Sequence, residues 1–253
     1  MRAAIFVRLA LLEARRGGLA SLAALALAVA VGLGLFVAQL AITESRPLQA
    51  ALVAALLRLA AVFMIASQTA SSVRREIDER RLELMLALAL PRATQYLGRL
   101  AGLVVLGTVL ALVFSLPLLL WIAWPAWLAW SASLAFELAL VAAAALFFAM
   151  TLGQLVPALA ATLALYLLAR SMSAILAIAS GPLFEDSLAH QFARGTANAV
   201  AYLLPSLDRV TRTEWLLYGP PDMRTLVAAF AGMLIYAALL TVAGLFDFQR
   251  RSI

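Results

Sequence analysis

The sequence predicts an all-α integral membrane protein, a single transmembrane domain over residues 1–253, and three observations lead there. The chain is 65% hydrophobic and only 13% charged, too apolar to build the polar surface that a water-soluble domain of this length needs. The apolar residues fall in long runs that are apolar on every face, and helices of that kind are buried in protein or lipid. The charges collect at the ends of those runs. A bilayer-spanning helix takes about 20 apolar residues. Six runs qualify: Leu19 to Ile42, Leu48 to Ser71, Leu100 to Ile122, Ser133 to Gln154, Ala158 to Ser180 and Thr225 to Phe246.

The segments between the runs follow in order. Ahead of the first span, Ile5, Phe6, Leu9 and Leu12 recur at helical spacing, with Arg8, Arg15 and Arg16 between or after them. That pattern predicts an amphipathic helix over residues 1–18, lying in the membrane interface. The first apolar run is too long for a signal peptide and lacks a clear cleavage site, so it is expected to remain as a start helix. Trp121, Trp124, Trp127 and Trp130 fall between spans three and four and predict an aromatic belt at the interface. Residues 181–224 form a long loop broken by Pro182, Pro205, Pro220 and Pro221. Within it, Thr196 to Leu204 is apolar enough for a short helix dipping into the membrane. Trp215, Leu216 and Tyr218 supply a second interfacial contact.

The net charge is +6, and every basic residue is an arginine. Arg2, Arg8, Arg15, Arg16, Arg74, Arg75, Arg80, Arg81, Arg92, Arg99, Arg250 and Arg251 fall on one set of ends. Only Arg46, Arg194, Arg209, Arg212 and Arg224 fall on the other. The richer side is predicted to be cytoplasmic, with both termini inside. Arginines so placed serve a membrane topology, and no nucleic-acid partner is expected. The absence of cysteine excludes disulfides, thiolate metal sites and cysteine nucleophiles. His190 is the single histidine. It sits near Glu185 and Asp186 in a loop, and no metal site is predicted there. No catalytic residue is predicted either, because no carboxylate pair, histidine cluster or nucleophile–base pair stands at depth.

Three ionisable residues lie inside the runs. Arg58 is roughly 15 Å into span two at the helical rise, Arg170 is near the middle of span five, and Glu137 is in the outer part of span four. Such groups face a bundle interior or a partner. They predict either a polar translocation surface or an ion pair of Glu137 with Arg58 or Arg170. One carboxylate does not serve both arginines tightly, which leaves one for lipid headgroups, substrate or a second protomer. Gln39, Gln68 and Gln154 are weaker candidates for interhelical hydrogen bonds, and Gly32 and Gly34 for close packing.

The segment 72–99 reads SSVRREIDERRLELMLALALPRATQYLGR. Glu76 with Arg80, and Arg75 with Glu79, are spaced for helical ion pairs. Leu82, Leu84, Met85, Leu86 and Leu88 follow, then Pro91, which breaks the helix. A restart at Thr94 to Leu97 leads through Gly98 and Arg99 into span three. The prediction is a helix leaving the membrane, a turn, and a short helix parallel to the bilayer. Such an element is a handle for a soluble partner.

The order Arg75-Glu76, Leu82-Glu83-Leu84-Met85-Leu86, Pro91-Arg92 and Tyr96-Leu97-Gly98-Arg99-Leu100-Ala101-Gly102 resembles the first cytoplasmic loop of ABC-2 type transporter permeases. The amphipathic start, the six spans, and Leu204-Pro205-Ser206-Leu207-Asp208-Arg209 followed by Glu214-Trp215 resemble that family too, so the likeness covers nearly the whole chain. Arg80-Arg81 stands where the family often has Gly-Thr, and Ala89 where it often has Pro. Within the family the chain looks most like permeases linked to multicopper-enzyme maturation, including the one that assists nitrous oxide reductase. The resemblance implies a homodimer in the bacterial inner membrane, seated on two copies of a separate ATPase that binds ATP and Mg. Arg75, Glu76, Glu79, Arg80, Leu82, Glu83, Leu86, Pro91 and Arg92 would dock in that ATPase and pass its movement to the spans. The result would be export, or maturation of a periplasmic partner protein. With no lysine the chain has no Walker A loop, so the ATPase activity belongs on another chain and no cofactor is expected on this one. The alternatives are an ion-coupled secondary transporter, which would tend to show internal repeats that are absent here, and a membrane scaffold for a periplasmic protein.

Overall fold

A computed structural model describes residues 2–40, 45–79, 91–179, 188–205, 207–219 and 221–250. Among these residues every regular element is helical. Helix α1 (Arg2–Arg16) turns through Gly17 and Gly18 into α2 (Leu19–Leu40). Gly18 has a φ of +77°, a left-handed conformation that only glycine adopts without strain. Helix α3 (Ser45–Asp78) has 34 residues, about 51 Å at 1.5 Å per residue. That exceeds the hydrocarbon thickness of a bilayer by several turns. The surplus is the charged end, which carries Arg74, Arg75, Glu76 and Asp78.

Helix α4 (Arg92–Ser115) starts immediately after Pro91, whose ring suits a helix start, and continues into a 3-10 turn at Leu116–Leu120. The restart predicted at Thr94 is therefore the first turn of span three and not a separate helix. Helix α5 (Trp124–Leu152) begins with Pro125 in its first turn and ends on Gly153 at a φ of +65°, a left-handed stop. Helix α6 (Leu155–Ala179) follows after a two-residue turn. Beyond it come α7 (Leu188–Leu203), a 3-10 turn at Leu207–Arg209, the short α8 (Glu214–Tyr218) and α9 (Met223–Arg250). Six of these helices, α2, α3, α4 with its 3-10 extension, α5, α6 and α9, are long and apolar enough to cross a membrane. They fit a multi-pass membrane protein.

Contacts between helix ends show that the six alternate in direction. At one end Arg74 of α3 donates to the Gly153 carbonyl at 2.9 Å, and Arg92 of α4 donates to the Gln249 carbonyl of α9 at 3.2 Å. The first places a cation where the helix dipole of α5 leaves carbonyls unpaired. At the opposite end the Trp121 indole donates to Gln49 at 2.5 Å. Arg8, Arg15, Arg16, Arg74, Arg75, Arg92 and Arg99 thus share one end, the arginine-rich end.

Helix α5 is the hub, packed on α3, α4, α6 and α9. Its Ala142 to Ala145 are all buried, and small side chains there let neighbouring backbones approach. Helices α2 and α9 lie outside, with Leu25, Phe36, Ile235 and Leu239 exposed. Gly34 lets α2 meet α3, because a Cβ there would stand 2.6 Å from Val53, whereas nothing lies within 4 Å of one at Gly32. The predicted tryptophan belt is corrected in part. Helix α5 begins nine residues earlier than expected, and its winding turns Trp127 and Trp130 inward to 7% and 1% exposure. The Trp127 indole donates to the Ser115 carbonyl at 2.8 Å. Trp124 remains exposed.

Candidate functional site

Two polar constellations lie inside the bundle. The first is built on the intramembrane ionisable residues. Glu137 sits midway along α5, deeper than predicted, because the helix starts at Trp124. It is completely buried. Tyr166 and Arg170 are four residues apart on α6 and therefore share a face, which is turned toward Glu137. Arg58 comes from α3. Into the space among these helices run residues 207–211, the 3-10 turn and the irregular backbone that follows it, with Leu207, Val210 and Thr211 buried.

The geometry is a clamp. Glu137 Oε1 accepts a hydrogen bond from the Tyr166 hydroxyl at 2.8 Å, and Oε2 accepts one from the Thr211 hydroxyl. Arg170 donates to the carbonyls of Leu207 and Val210, both at 2.7 Å, and to that of Thr211 at 3.1 Å. Arg58 donates to the same Thr211 carbonyl at 2.8 Å. The physical need is plain. Irregular backbone at membrane depth is tolerated only where protein satisfies its carbonyls, and two guanidinium groups, rich in donors and always charged, do so here. Thr211 has a φ of +50°. This is unfavourable for a β-branched residue and persists where the surroundings over-determine it, as Glu137, Arg58 and Arg170 do.

Both predicted readings of these residues change in detail. The ion pair of Glu137 with Arg170 exists at 3.9 Å, but it is looser than the hydrogen bonds around it. Arg58 and Arg170 converge on one loop carbonyl, so neither is left over. Residues 207–211 enter the helix bundle, followed by the buried Trp215 and Leu216, and the short helix expected at Thr196 to Leu204 is present through Leu203. Most of that stretch is in α7, which packs on α6 with Phe192, Tyr202 and Leu203 exposed. An open polar pocket of about 300 Å³ lies over the clamp, lined by Arg170, Ser173, Asp208, Arg212, Thr213 and Glu214. Sequence reasoning missed Tyr166 and Thr211. The four-residue spacing from Arg170 was a signal for the tyrosine; nothing in the loop marked the threonine.

The second constellation joins α1, α3 and α4 at the arginine-rich end. Glu76 is buried and forms an ion pair with Arg99. Ser72 donates to Glu13 Oε2 of α1 at 2.8 Å. Helix α1 crosses α4 at Gly98 and Gly102, where added Cβ atoms would stand 2.5 Å from the Phe6 ring and 2.9 Å from the Phe6 carbonyl. Tyr96 is 1% exposed, stands beside Phe248 with ring centroids 6.2 Å apart, and lays its hydroxyl on Gly244 of α9. Within this run Tyr96, Gly98, Arg99 and Gly102 therefore each have a packing function. Gly102→Ala is expected to destabilise by about 1–3 kcal/mol, because backbone and not a flexible side chain blocks the methyl. Faster proteolysis within α1 at unchanged helix content would report it.

The predicted partner-docking residues are divided by this arrangement. Arg75, Glu79 and Pro91 are exposed. Glu76 faces inward, paired with Arg99. Arg74 makes a helical pairing with Asp78 at 2.7 Å. Arg92 opens α4. Arg80, Leu82, Glu83 and Leu86 lie outside the described residues, as do Glu185 and Asp186 and the side chain of His190. Glu13 accepts a hydrogen bond from Ser72. No group of acidic and histidine side chains able to hold a metal occurs among the described residues. Neither a protein-family model nor a characterised protein matches the chain.

Proposed function

We propose that this chain is the membrane-spanning permease subunit of an ABC-2 type transporter. Its partners are two copies of a separate ATPase, which carries ATP and Mg, and a second copy of itself. It resides in the bacterial inner membrane with the arginine-rich end and both termini cytoplasmic, and it serves export or the maturation of a periplasmic partner protein. The observation that carries the reading is the setting of residues 80–90. In the sequence they stand between the overlong α3 and Pro91 at the start of α4, and those two helices are joined by Glu76 and Arg99. A force on that segment acts on α3, α4 and, through Ser72 and Phe6, on α1. Coupled transitions use rigid elements joined in this way. The clamped 207–211 segment at the other end is the part that a rearrangement of α3, α5 and α6 would move.

The test is co-purification with a candidate ATPase and assay of its activity. Arg75→Glu with Glu79→Arg is the informative variant, since both side chains are exposed. Loss of association by about tenfold or more is expected on reversing interface charges. Undiminished association and activity would overturn the reading and turn attention to Glu137 as part of an ion-coupled path.

A further inference from the structure

We propose that the pocket over the clamp binds a zwitterionic phosphate–ammonium group, that of an ethanolamine phospholipid, with the phosphate on Arg170 and Arg212 and the ammonium on Asp208 and Glu214. Charge is layered there. In the inner layer Arg58 and Arg170 stand with the carboxylate of Glu137, which leaves one positive charge in excess. In the outer layer, among the described side chains, Asp208 and Glu214 stand with Arg212, which leaves one negative charge in excess. Exposure marks the depth: Arg170 and Glu137 are 21% and 0% exposed, whereas Arg212 and Glu214 are 42% and 68% exposed. A lone anion would meet the outer carboxylates, and a lone cation would meet the arginines beneath. A ligand with its anion inward and its cation outward complements both layers. In an ethanolamine phospholipid the phosphate joins the tails and the ammonium is the free end.

The side chains have bonding capacity left for such a group. Arg170 has N–H donors beyond the three that it gives to the loop carbonyls. Arg212 gives its Nε to the Asp208 carbonyl at 2.9 Å and stands 3.6 Å from the Glu214 carboxylate, too far for a hydrogen bond. The half-buried carboxylate of Asp208 has no ion-pair partner among the described residues, and a shielded charge without a partner is costly. An ethanolamine ammonium offers it both charge and N–H donors, whereas a choline head group has charge but no N–H. The open space of about 300 Å³ is at the small end of ligand sites and suits a head group without its tails. A lipid is favoured as the source by the face of α6 beneath the pocket. Leu167 lies three residues before Arg170, on the same face and one turn deeper, and is 57% exposed. A tail leaving the phosphate thus has apolar surface to lie on. The site belongs to the membrane fold and stands with or without a partner ATPase.

The experiment is native mass spectrometry of the full chain in detergent, titrated with phosphatidylethanolamine, phosphatidylcholine or phosphatidylglycerol of matched tails. Wild type is expected to bind phosphatidylethanolamine about tenfold more tightly than either of the others, the size of effect that a hydrogen bond to a charged group supplies. The double variant D208N/E214Q should bind the three lipids alike. Ser173→Phe fills the pocket from an exposed position of α6 without changing any charge. It should lose the same preference, and it serves as the test if the double variant fails to fold. Equal binding of the three lipids by wild type would overturn the proposal, as would tighter binding of phosphatidylglycerol, which would mean an anion site only. A preference for phosphatidylethanolamine that survives in either variant would place the lipid elsewhere and overturn it too. Glycerophosphoethanolamine, the same head group without tails, is expected to displace no bound lipid at equal concentration. Displacement would overturn the lipid as the source and leave a soluble phosphate ester.

Discussion

Glu137→Ala is expected to lower the unfolding free energy by about 4 kcal/mol, in the range for removing one partner from a buried charged network. The loss has three parts. The Tyr166 and Thr211 hydroxyls are each left without an acceptor, and Arg170 keeps its charge with its carboxylate gone. For a chain of this size the shift in Tm is on the order of 10 °C. Glu137→Gln retains an acceptor of the same shape and should cost about half as much. Replacing Glu137 by Leu together with Arg170 by Met should recover part of the loss, because it removes the unpaired charge along with its partner. Thermal unfolding of the four proteins in one detergent decides the matter. An Ala variant as stable as wild type would mean that the carboxylate does not hold residues 207–211 in place.

Separating Glu76 from Arg99 is the second large effect, about 3 kcal/mol for either single alanine. Both side chains are well shielded, at 9% and 15% exposure, so water does little to compensate. The double alanine should cost less than the sum of the two singles, and that difference measures their coupling. The charge swap, Glu76→Arg with Arg99→Glu, should be more stable than either single reversal. Additive alanine costs would place the two residues in independent roles. The prediction also bears on the ATPase experiment. Activity lost in Glu76→Ala would report a loosened α3–α4 pair, whereas activity lost in Arg75→Glu or Glu79→Arg reports the exposed surface itself.

Sequence alone determined the class and the count of spans. Lipid offers no hydrogen bonds, so each crossing must be a long, internally bonded apolar helix, and such runs are visible without a structure. The same holds for α1, whose period is local, and for the break at Pro91, which acts on its own residues. Boundaries moved where apolar composition continued past the lipid-suited length, as at Trp124, whereas the charged end from Arg74 to Asp78 stayed helical as its pairing spacing predicts. The polar residues were legible as positions but not as partnerships. Arg58, Glu137 and Arg170 stood out because charge at depth is costly, yet what they share is Thr211, which lies 153, 74 and 41 residues further along. Glu76 pairs with Arg99, which lies in the next span, because the face of α3 that carries it is turned inward. Which face a helix presents, and which distant carbonyl a guanidinium reaches, depends on how the helices pack, and only the tertiary structure decided that.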